Sequence, residues 1–256
     1  MQTLRNTFNR LWAALIFFTR LPFWRIYQPP QQCYNSVVEF WPLTGWLTGG
    51  VMAAIIYFGS MALPVTVSVV LAIAARLLLT GALHEDGLAD FFDGMGGGGN
   101  DRQRILAIMK DSHIGTYGVL GLAVYVLTLV LTLSAMPPAM SALCILAADP
   151  YAKMLSGQLI LMLPYARDEE TAKNRTVYRR YSWLSGIGLL VQGLLPMFFF
   201  LFVGNPNDWA WVLMLPAVAF YFLYLLIRNR LQGYTGDCCG AVCLLVELTV
   251  CLAALL

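Results

Sequence analysis

Charged residues are scarce in this 256-residue chain. Asp, Glu, Lys and Arg make up 12% of it, whereas soluble domains average about 25%; hydrophobic residues make up 59%, and the mean hydropathy is +0.68. A water-soluble globule of this size cannot bury so much apolar surface. The composition therefore predicts a polytopic membrane protein.

Other features are missing too, and each excludes a class of protein. The chain has only two histidines, and neither is near the cysteines at 238–243, which argues against a zinc site. No cleavable signal peptide is expected, because Arg20 and Arg25 interrupt the first apolar stretch. No boundary of a second domain is found, so residues 1–256 are predicted to form one membrane domain.

What the chain does contain is a series of long apolar runs. Residues 4–20 come first and place apolar and basic side chains at helical spacing, which favours an amphipathic helix in the membrane interface. The predicted fold is all-α, with about seven transmembrane helices after this interfacial helix. The seven predicted spans are residues 41–62, 64–83, 116–135, 138–163, 182–203, 208–227 and 238–256.

The basic residues lie on one side of this predicted topology. Fourteen of the sixteen Lys and Arg residues fall in the N-terminal region or in the connections 84–115, 164–181 and 228–230, whereas the short alternate turns carry none. Lys and Arg concentrate in cytoplasmic connections. Seven spans with a cytoplasmic N-terminus satisfy this rule, and they place the connection 84–115 at the cytoplasmic face.

Acidic charge is concentrated in one stretch, His84 to Gly118, which we call the acidic segment. If residues 84–93 continue the second span as a helix, Asp86, Asp90 and Asp93 share one face, because they stand at i, i+4 and i+7. The segment contains both histidines and six acidic residues, namely Glu85, Asp86, Asp90, Asp93, Asp101 and Asp111.

Like charges on one helix face repel each other, so this pattern favours a bound cation over a solvated acidic loop with helix caps. Oxygen ligands suit Mg²⁺ or Mn²⁺. An EF-hand is excluded because its ligand spacing is absent, and Asp101 is predicted to cap a following helix, 101–110. Because paired cations commonly serve phosphoryl transfer, the residues alone predict a membrane transferase that acts on a phosphoric ester or anhydride.

The motifs of the chain resemble one family in particular, the adenosylcobinamide-GDP ribazoletransferases, also called cobalamin synthases. The resemblance covers nearly the whole chain. Within the acidic segment it is carried by His84-Glu85-Asp86-Gly87-Leu88-Ala89-Asp90, Asp93-Gly94, Asp101-Arg102, Ile108-Met109-Lys110-Asp111-Ser112 and Gly115-Thr116-Tyr117-Gly118, and outside it by Phe18-Thr19-Arg20-Leu21-Pro22, Pro42-x-x-Gly45 and Gly233-Tyr234-Thr235-Gly236-Asp237.

The resemblance implies a reaction and a setting. α-Ribazole, or its 5′-phosphate, attacks adenosylcobinamide-GDP to give adenosylcobalamin, or its 5′-phosphate, and GMP, with Mg²⁺ as the cofactor. The protein is then expected to span the bacterial cytoplasmic (inner) membrane, with those two small molecules and the lipid bilayer as partners and no nucleic acid. A homo-oligomer and an assembly with other corrin-pathway proteins both stay open.

The resemblance also suggests a role for each polar residue at the site. Asp86, Asp90 and Asp93 are the predicted metal ligands, completed by Asp111 or Asp237. The predicted base is Glu85 or Asp101, with His84 as the alternative because its ordinary pKa lies near neutrality. Lys110 and Arg102 are predicted to neutralise phosphate oxygens, and Ser112 belongs to the same motif and is a predicted substrate-binding residue.

Three further cations are predicted to bind substrate. Arg76 lies about two helical turns before His84 and either faces the same cleft or snorkels to the interface. Arg20 belongs to the family-like N-terminal motif, although an interfacial anchor is the alternative. Lys153 stands where the family more often carries arginine and is expected to supply the cation. Glu247, in the middle of the last span, needs a partner that the sequence does not identify.

Two rival functions are weighed against this one. CDP-alcohol phosphotransferases also use an aspartate-rich membrane motif, and Asp86-Gly87-Leu88-Ala89 begins in a similar way. However, Asp90 stands where that motif needs arginine, and its closing aspartates are missing at the required spacing. A divalent-cation transporter would need acidic residues in the middle of its spans, and Glu247 alone is a poor fit.

Overall fold

The computed structural model describes residues 2–167, 178–204 and 209–256. In these ranges every regular element is a helix. Two short 3-10 segments, Phe23–Arg25 and Gln31–Phe40, precede the first long apolar helix. The α-helices are α1 (Gln2–Phe18), α2 (Trp41–Gly59), α3 (Val65–Thr80), α4 (Leu83–Gly97), α5 (Arg102–Ile108), α6 (Thr116–Ala135), α7 (Pro138–Gly157), α8 (Leu159–Met162), α9 (Trp183–Val203), α10 (Trp209–Leu231) and α11 (Gly236–Ala253).

Each of the seven predicted spans contains a helix, and the chain is an all-α, polytopic membrane protein. Five stretches of the described residues are long and apolar enough to cross a bilayer, and α3 with α4 forms a sharply bent pair that would make a sixth. α7 is 20 residues long, but Asp149 and Lys153 lower its hydropathy. For this reason length and composition alone do not identify α7 as a span. Most of its residues, including both charges, are buried by the neighbouring helices.

The chain turns sharply where the acidic segment begins. α3 and α4 are bent by 93° to one another, and the two residues between them, Gly81 (φ 66°) and Ala82 (φ 56°), both adopt the left-handed conformation. That conformation is easy for glycine and uncommon for alanine. Residues 84–93 are helical as expected, but they do not continue the second span. The bend instead turns α4 against α6 and α11.

The centre of the molecule is α7, which packs against α2, α9 and α11. A Cβ atom on Gly45 of α2 would lie 2.8 Å from the Cα atom of Pro150, and one on Gly49 would lie 3.0 Å from the carbonyl oxygen of Ile145. Small residues at such crossings let helix backbones approach closely, which gives van der Waals contact where lipid offers no hydrophobic driving force.

The predicted amphipathic helix is present as α1. Its inner face carries Ala13, Ala14 and Phe18, all buried, while Phe8 is 49% exposed. α1 packs on the 3-10 segment 31–40, and Arg10 forms an ion pair with Glu39 of that segment at 3.0 Å. α1 ends at Phe18, whose ring lies beside Trp41 of α2 and His84 of α4, where the candidate site is found.

Candidate active site

A cavity of about 140 Å³ lies where the first turns of α2, α4 and α11 meet the end of α1. Three of its polar lining groups, His84, Asp86 and Asp237, are predicted site residues. Asp86 is exposed and Asp237 is half-buried. Since their carboxylates come from positions 151 residues apart, the fold brings together two parts of the predicted metal site.

A close contact between two helices explains why Asp86 and Asp237 share this cavity. A Cβ atom on Gly87 would lie 3.0 Å from the Cα atom of Asp237, so the absence of a side chain lets α4 touch the start of α11. Thr235 caps α11 by accepting a hydrogen bond from the backbone N–H of Cys238 at 3.2 Å. The positive end of the α11 dipole and Arg167, 3.7 Å from Asp237, both favour negative charge there.

The other walls of the cavity are largely aromatic. Trp41 donates its indole N–H to Nε2 of His84 at 3.3 Å, and the two rings are nearly parallel to each other and to Phe18. Tyr178 closes another side. Burial raises the pKa of Tyr178 well above its ordinary value.

Arg76 is the centre of a buried polar cluster beneath the start of α4. Its guanidinium donates to Oε1 of Glu247 at 2.6 Å and to the hydroxyl of Tyr125 at 2.8 Å, and it lies 3.5 Å from Oε1 of Glu85. All four side chains are at least nine-tenths buried. Arg76 is therefore the partner that Glu247 requires, and the cluster joins α3, α4, α6 and α11.

A second buried polar cluster joins α2 to α7. Lys153 forms an ion pair with Asp149 one turn before it and donates to the hydroxyl of Thr48 at 3.0 Å. Thr48 donates in turn to Oδ2 of Asp149 at 2.5 Å. Lys153 is 2% exposed and is not among the residues that line the cavity. Its observed partners are therefore groups of the scaffold.

Asp93 lies at the far end of α4 from the cavity. Its Oδ2 accepts a hydrogen bond from the backbone N–H of Gly115 at 2.7 Å, and its Oδ1 accepts one from Gly118 at 2.8 Å. The first backbone N–H groups of a helix have no partner within the helix. The two oxygens of Asp93 supply partners for two such groups at the start of α6. Asp90 lies between Asp86 and Asp93 and is half-buried.

The remainder of the acidic segment makes mostly local contacts. Asp101 caps α5, as predicted, by accepting from the backbone N–H groups of Gln103 and Arg104 at 2.9 and 3.2 Å. Asp111 accepts from the ring and backbone of His113, and these hydrogen bonds lower the pKa of Asp111. The side chains of Lys110, Asp111 and Ser112 are exposed and are not among the lining residues of the cavity.

Two of the predicted cations do not line the cavity. Arg102 donates to the carbonyl oxygens of Leu231 and Ala166 at 2.7 and 2.6 Å, so it joins the end of α10 to the connection that follows α8. Arg20 is exposed and lines a neighbouring cleft of about 330 Å³, which shares Phe17 and Leu83 with the cavity. A substrate longer than the cavity could therefore reach Arg20.

The number of carboxylates at the cavity is the number that a magnesium ion shared with a substrate would take from the protein. Within residues 2–167, 178–204 and 209–256, no three His, Cys, Asp or Glu side chains are close enough to hold a metal ion by themselves. Mg²⁺, however, usually takes one or two carboxylates and completes its shell with water and phosphate oxygens. Asp86 and Asp237 supply that number of carboxylates at one cavity.

Several residues of the site were not predicted from the sequence. Trp41 directly precedes the Pro42-x-x-Gly45 motif, and Asp149 lies in the stretch that also contains Lys153, so their positions were the available signals. Tyr125 and Arg167 gave none. Tyr125 lies among apolar neighbours of one span, and Arg167 is one of five basic residues in its connection.

Known proteins similar to this chain were found by sequence, whereas no solved structure matches it. The adenosylcobinamide-GDP ribazoletransferase of Ralstonia pickettii is 34% identical over 253 residues, which cover 98% of this chain and 96% of that protein. The protein with the same description from Vibrio parahaemolyticus is 36% identical over 250 residues, covering 97% and 92%. A family model described as cobalamin-5-phosphate synthase matches residues 10–255. The chain therefore belongs to the cobalamin-5-phosphate synthase family.

Proposed function

We propose that this protein is a membrane transferase that joins a ribazole, or its 5′-phosphate, to adenosylcobinamide-GDP. The observation that carries the proposal is the family match over residues 10–255, together with relatives of that description along nearly the full chain. A hydroxyl oxygen of the ribose forms a bond to the phosphorus next to the corrinoid. The bridging P–O bond breaks, GMP leaves with the bridging oxygen, and the hydroxyl proton passes to a base.

Asp86 and Asp237 are proposed to hold Mg²⁺ at the cavity, with Asp90 as the next ligand along α4. The bound ion would neutralise charge on the diphosphate. Two carboxylates beside a diphosphate would otherwise repel it, which is why a cation belongs to the proposal. Asp93 and Asp111 stay predicted ligands; in the structure, Asp93 caps α6 and Asp111 contacts His113.

His84 is the proposed proton acceptor, because it is the one predicted base that lines the cavity; its Nε2 accepts the indole N–H of Trp41, so this hydrogen bond must break when the nitrogen takes the proton of the hydroxyl. Glu85 lies beside Arg76 in the buried cluster, and Asp101 caps α5. The exposed Arg20 and Lys110 are the proposed cations for the phosphate oxygens. Arg76 and Lys153 are proposed to shape the site from below, through their buried contacts with Glu85, Glu247 and Asp149.

The proposed location is the bacterial cytoplasmic membrane, with the N-terminus and the acidic segment on the cytoplasmic side. The one-sided distribution of Lys and Arg supports this orientation. The transporter alternative is disfavoured by Glu247, because the mid-span carboxylate that such a protein would use is bound by Arg76 at 2.6 Å.

The test uses the purified protein in liposomes with adenosylcobinamide-GDP and α-ribazole 5′-phosphate, with and without Mg²⁺. We expect GMP and the joined corrinoid in equal amounts from the wild type. Asp86→Asn and Asp237→Asn should each lower kcat by about 100-fold or more, as expected when a group that supports transition-state charge is removed. Glu39→Gln is the matched control, since Glu39 pairs with Arg10 outside the cavity.

Three outcomes would contradict parts of this proposal. No product from the wild type under any divalent cation would contradict the reaction. Product that persists in both aspartate variants, with folding intact by thermal unfolding, would move the metal site to other carboxylates. Product formed at full rate in the presence of a strong chelator would contradict the requirement for Mg²⁺.

A further inference from the structure

We propose that the aromatic cavity binds the heteroaromatic base of the ribazole substrate, and that Val38 sets the size of the base that fits. The inference rests on the proposed function, because it assigns one of the two substrates to a part of that site. Phe18, Val38, Trp41, Leu83 and His84 supply the walls, and Asp86 and Asp237 stand at the polar end.

Three aromatic rings in the cavity wall lie nearly parallel to one another. The centroids of Phe18 and Trp41 are 5.4 Å apart with planes at 10°, and those of Trp41 and His84 are 5.8 Å apart with planes at 11°. The centroids of Phe18 and His84 are 6.3 Å apart, also with planes at 10°, so the three rings form a triangle with nearly parallel planes. They come from α1, α2 and α4, and a planar ligand can lie against their parallel faces in the offset geometry that flat aromatic groups favour.

The volume of the cavity suits a small, flat ligand group. An engineered cavity of about 150 Å³ binds benzene, and this cavity measures about 140 Å³. It can therefore take a ring system of one or two fused rings that protrudes at the mouth. A corrin macrocycle or a complete nucleoside diphosphate is far larger. Of the groups in the two substrates, the ribazole base, guanine and the adenine of the adenosyl group are small and flat enough.

The three bases differ in polarity. Guanine and adenine carry several donors and acceptors, and a buried donor or acceptor without a partner costs binding energy. The deep walls Val38, Phe18 and Leu83 offer no side-chain hydrogen bonds, and Nε2 of His84 already accepts one from Trp41. The benzimidazole ring of a ribazole presents a hydrocarbon edge to such walls, so it suits them better.

The placement also serves the reaction. The base is attached to the ribose whose hydroxyl attacks the diphosphate. With the base among Phe18, Val38 and Leu83, the ribose emerges beside Asp86 and Asp237, where the diphosphate would be held. Arg20 in the neighbouring cleft then lies on the side left for the rest of the larger substrate.

The experiment measures steady-state kinetics in liposomes with two ribosides, one of benzimidazole and one of the larger naphthimidazole. Val38 is 2% exposed and borders the cavity. Val38→Phe should fill the space and raise KM for both ribosides by about 10-fold or more, the lower end of the discrimination that a methylene-sized change gives. KM for adenosylcobinamide-GDP should change by less than about two-fold.

Val38→Ala keeps the test decisive if the larger side chain prevents folding. It should raise kcat/KM for the naphthimidazole riboside relative to the benzimidazole riboside by about five-fold or more. A general loss of stability would lower both values together and leave their ratio unchanged. Trp46→Phe is a further control, because Trp46 is on α2 but bonds to the carbonyl of Gln192, away from the cavity.

The outcomes separate this inference from the proposed function. A rise in KM for adenosylcobinamide-GDP alone would overturn the inference in favour of the guanine or the adenine of that substrate, while the proposed reaction would stand. An unchanged riboside ratio in Val38→Ala would also overturn it. If the wild type makes no product, the equilibrium binding of benzimidazole riboside, measured without the second substrate, decides whether the cavity binds the base. Binding that Val38→Phe weakens by about 10-fold or more supports the base site, and the absence of binding overturns it.

Discussion

The two halves of the acidic segment carry similar residues but have different surroundings. In the first half, residues 84–93, His84, Glu85 and Asp93 are buried, and their partners come from α2, α3 and the start of α6. In the second half, residues 101–113, Asp101 and Asp111 are exposed. Their partners are two or three residues away along the chain.

This difference shows which acidic residues need the tertiary structure for their contacts. A carboxylate whose partner is two residues away makes the same contact in almost any fold. A buried carboxylate is stable only if the tertiary structure delivers a cation or several N–H groups to it. The first half is therefore the part of the segment whose chemistry the membrane helices control.

Arg76→Ala should have the largest effect on stability. The substitution leaves Glu247 and Glu85 buried without their cation, and breaking a buried pair in this way costs about 3–5 kcal/mol. The measurement is the free energy of unfolding in mixed micelles. Arg104→Ala, an exposed arginine of the second half, should change it by less than about 0.5 kcal/mol. Equal effects of the two substitutions would remove the contrast between the halves.

Asp93→Asn should have the next largest effect. The variant keeps one acceptor for the N–H groups of Gly115 and Gly118 in place of two, so we expect a loss of about 1–2 kcal/mol from the start of α6. The dependence of the rate on Mg²⁺ concentration is measured with the same protein. If Asp93 acts only as a cap, that dependence stays unchanged; a requirement for much more Mg²⁺ would instead support the predicted metal ligand.

Asp101→Ala should lower stability by about 1 kcal/mol, the usual value for a lost N-cap. Asp101→Ser should recover most of it, because a serine hydroxyl can accept from the same backbone N–H groups. Thermal unfolding of the three proteins side by side provides the comparison. A loss as large as that of Arg76→Ala would show that Asp101 has long-range partners after all.

His113→Gln should have the smallest effect, a change in the pKa of Asp111 only. The side-chain hydrogen bond from His113 is the largest cause of the lowered pKa of Asp111, so loss of the imidazole should raise that pKa part of the way towards the ordinary value for aspartate, while the backbone hydrogen bond of residue 113 remains. Because the folded pKa is depressed, this contact stabilises the fold above the ordinary aspartate pKa, and the contribution is lost as pH falls through the depressed value. Carbon NMR of labelled aspartate in nanodiscs measures the shift, and an unchanged pKa would contradict it.

Part of the structure could be predicted from sequence because it depends on local composition. Apolar runs fixed the positions of the seven main helices, and the spacing of residues 4–20 indicated α1. Asp101 was recognised as a cap, since a cap needs only its own first turn. The bend at Gly81 and Ala82 was not predicted, because alanine rarely adopts a left-handed conformation unless its surroundings impose it.

The sequence by itself determined that this is an all-α membrane protein with an acidic segment between two apolar helices, because hydropathy and motif spacing are properties of the chain alone. Only the tertiary structure decided which charges meet. It paired Arg76 with Glu247, 171 residues away, brought Asp237 to Asp86, and used both oxygens of Asp93 for the start of α6. Such contacts depend on how the helices cross, because a buried charge must pair with a group that a crossing helix brings within reach.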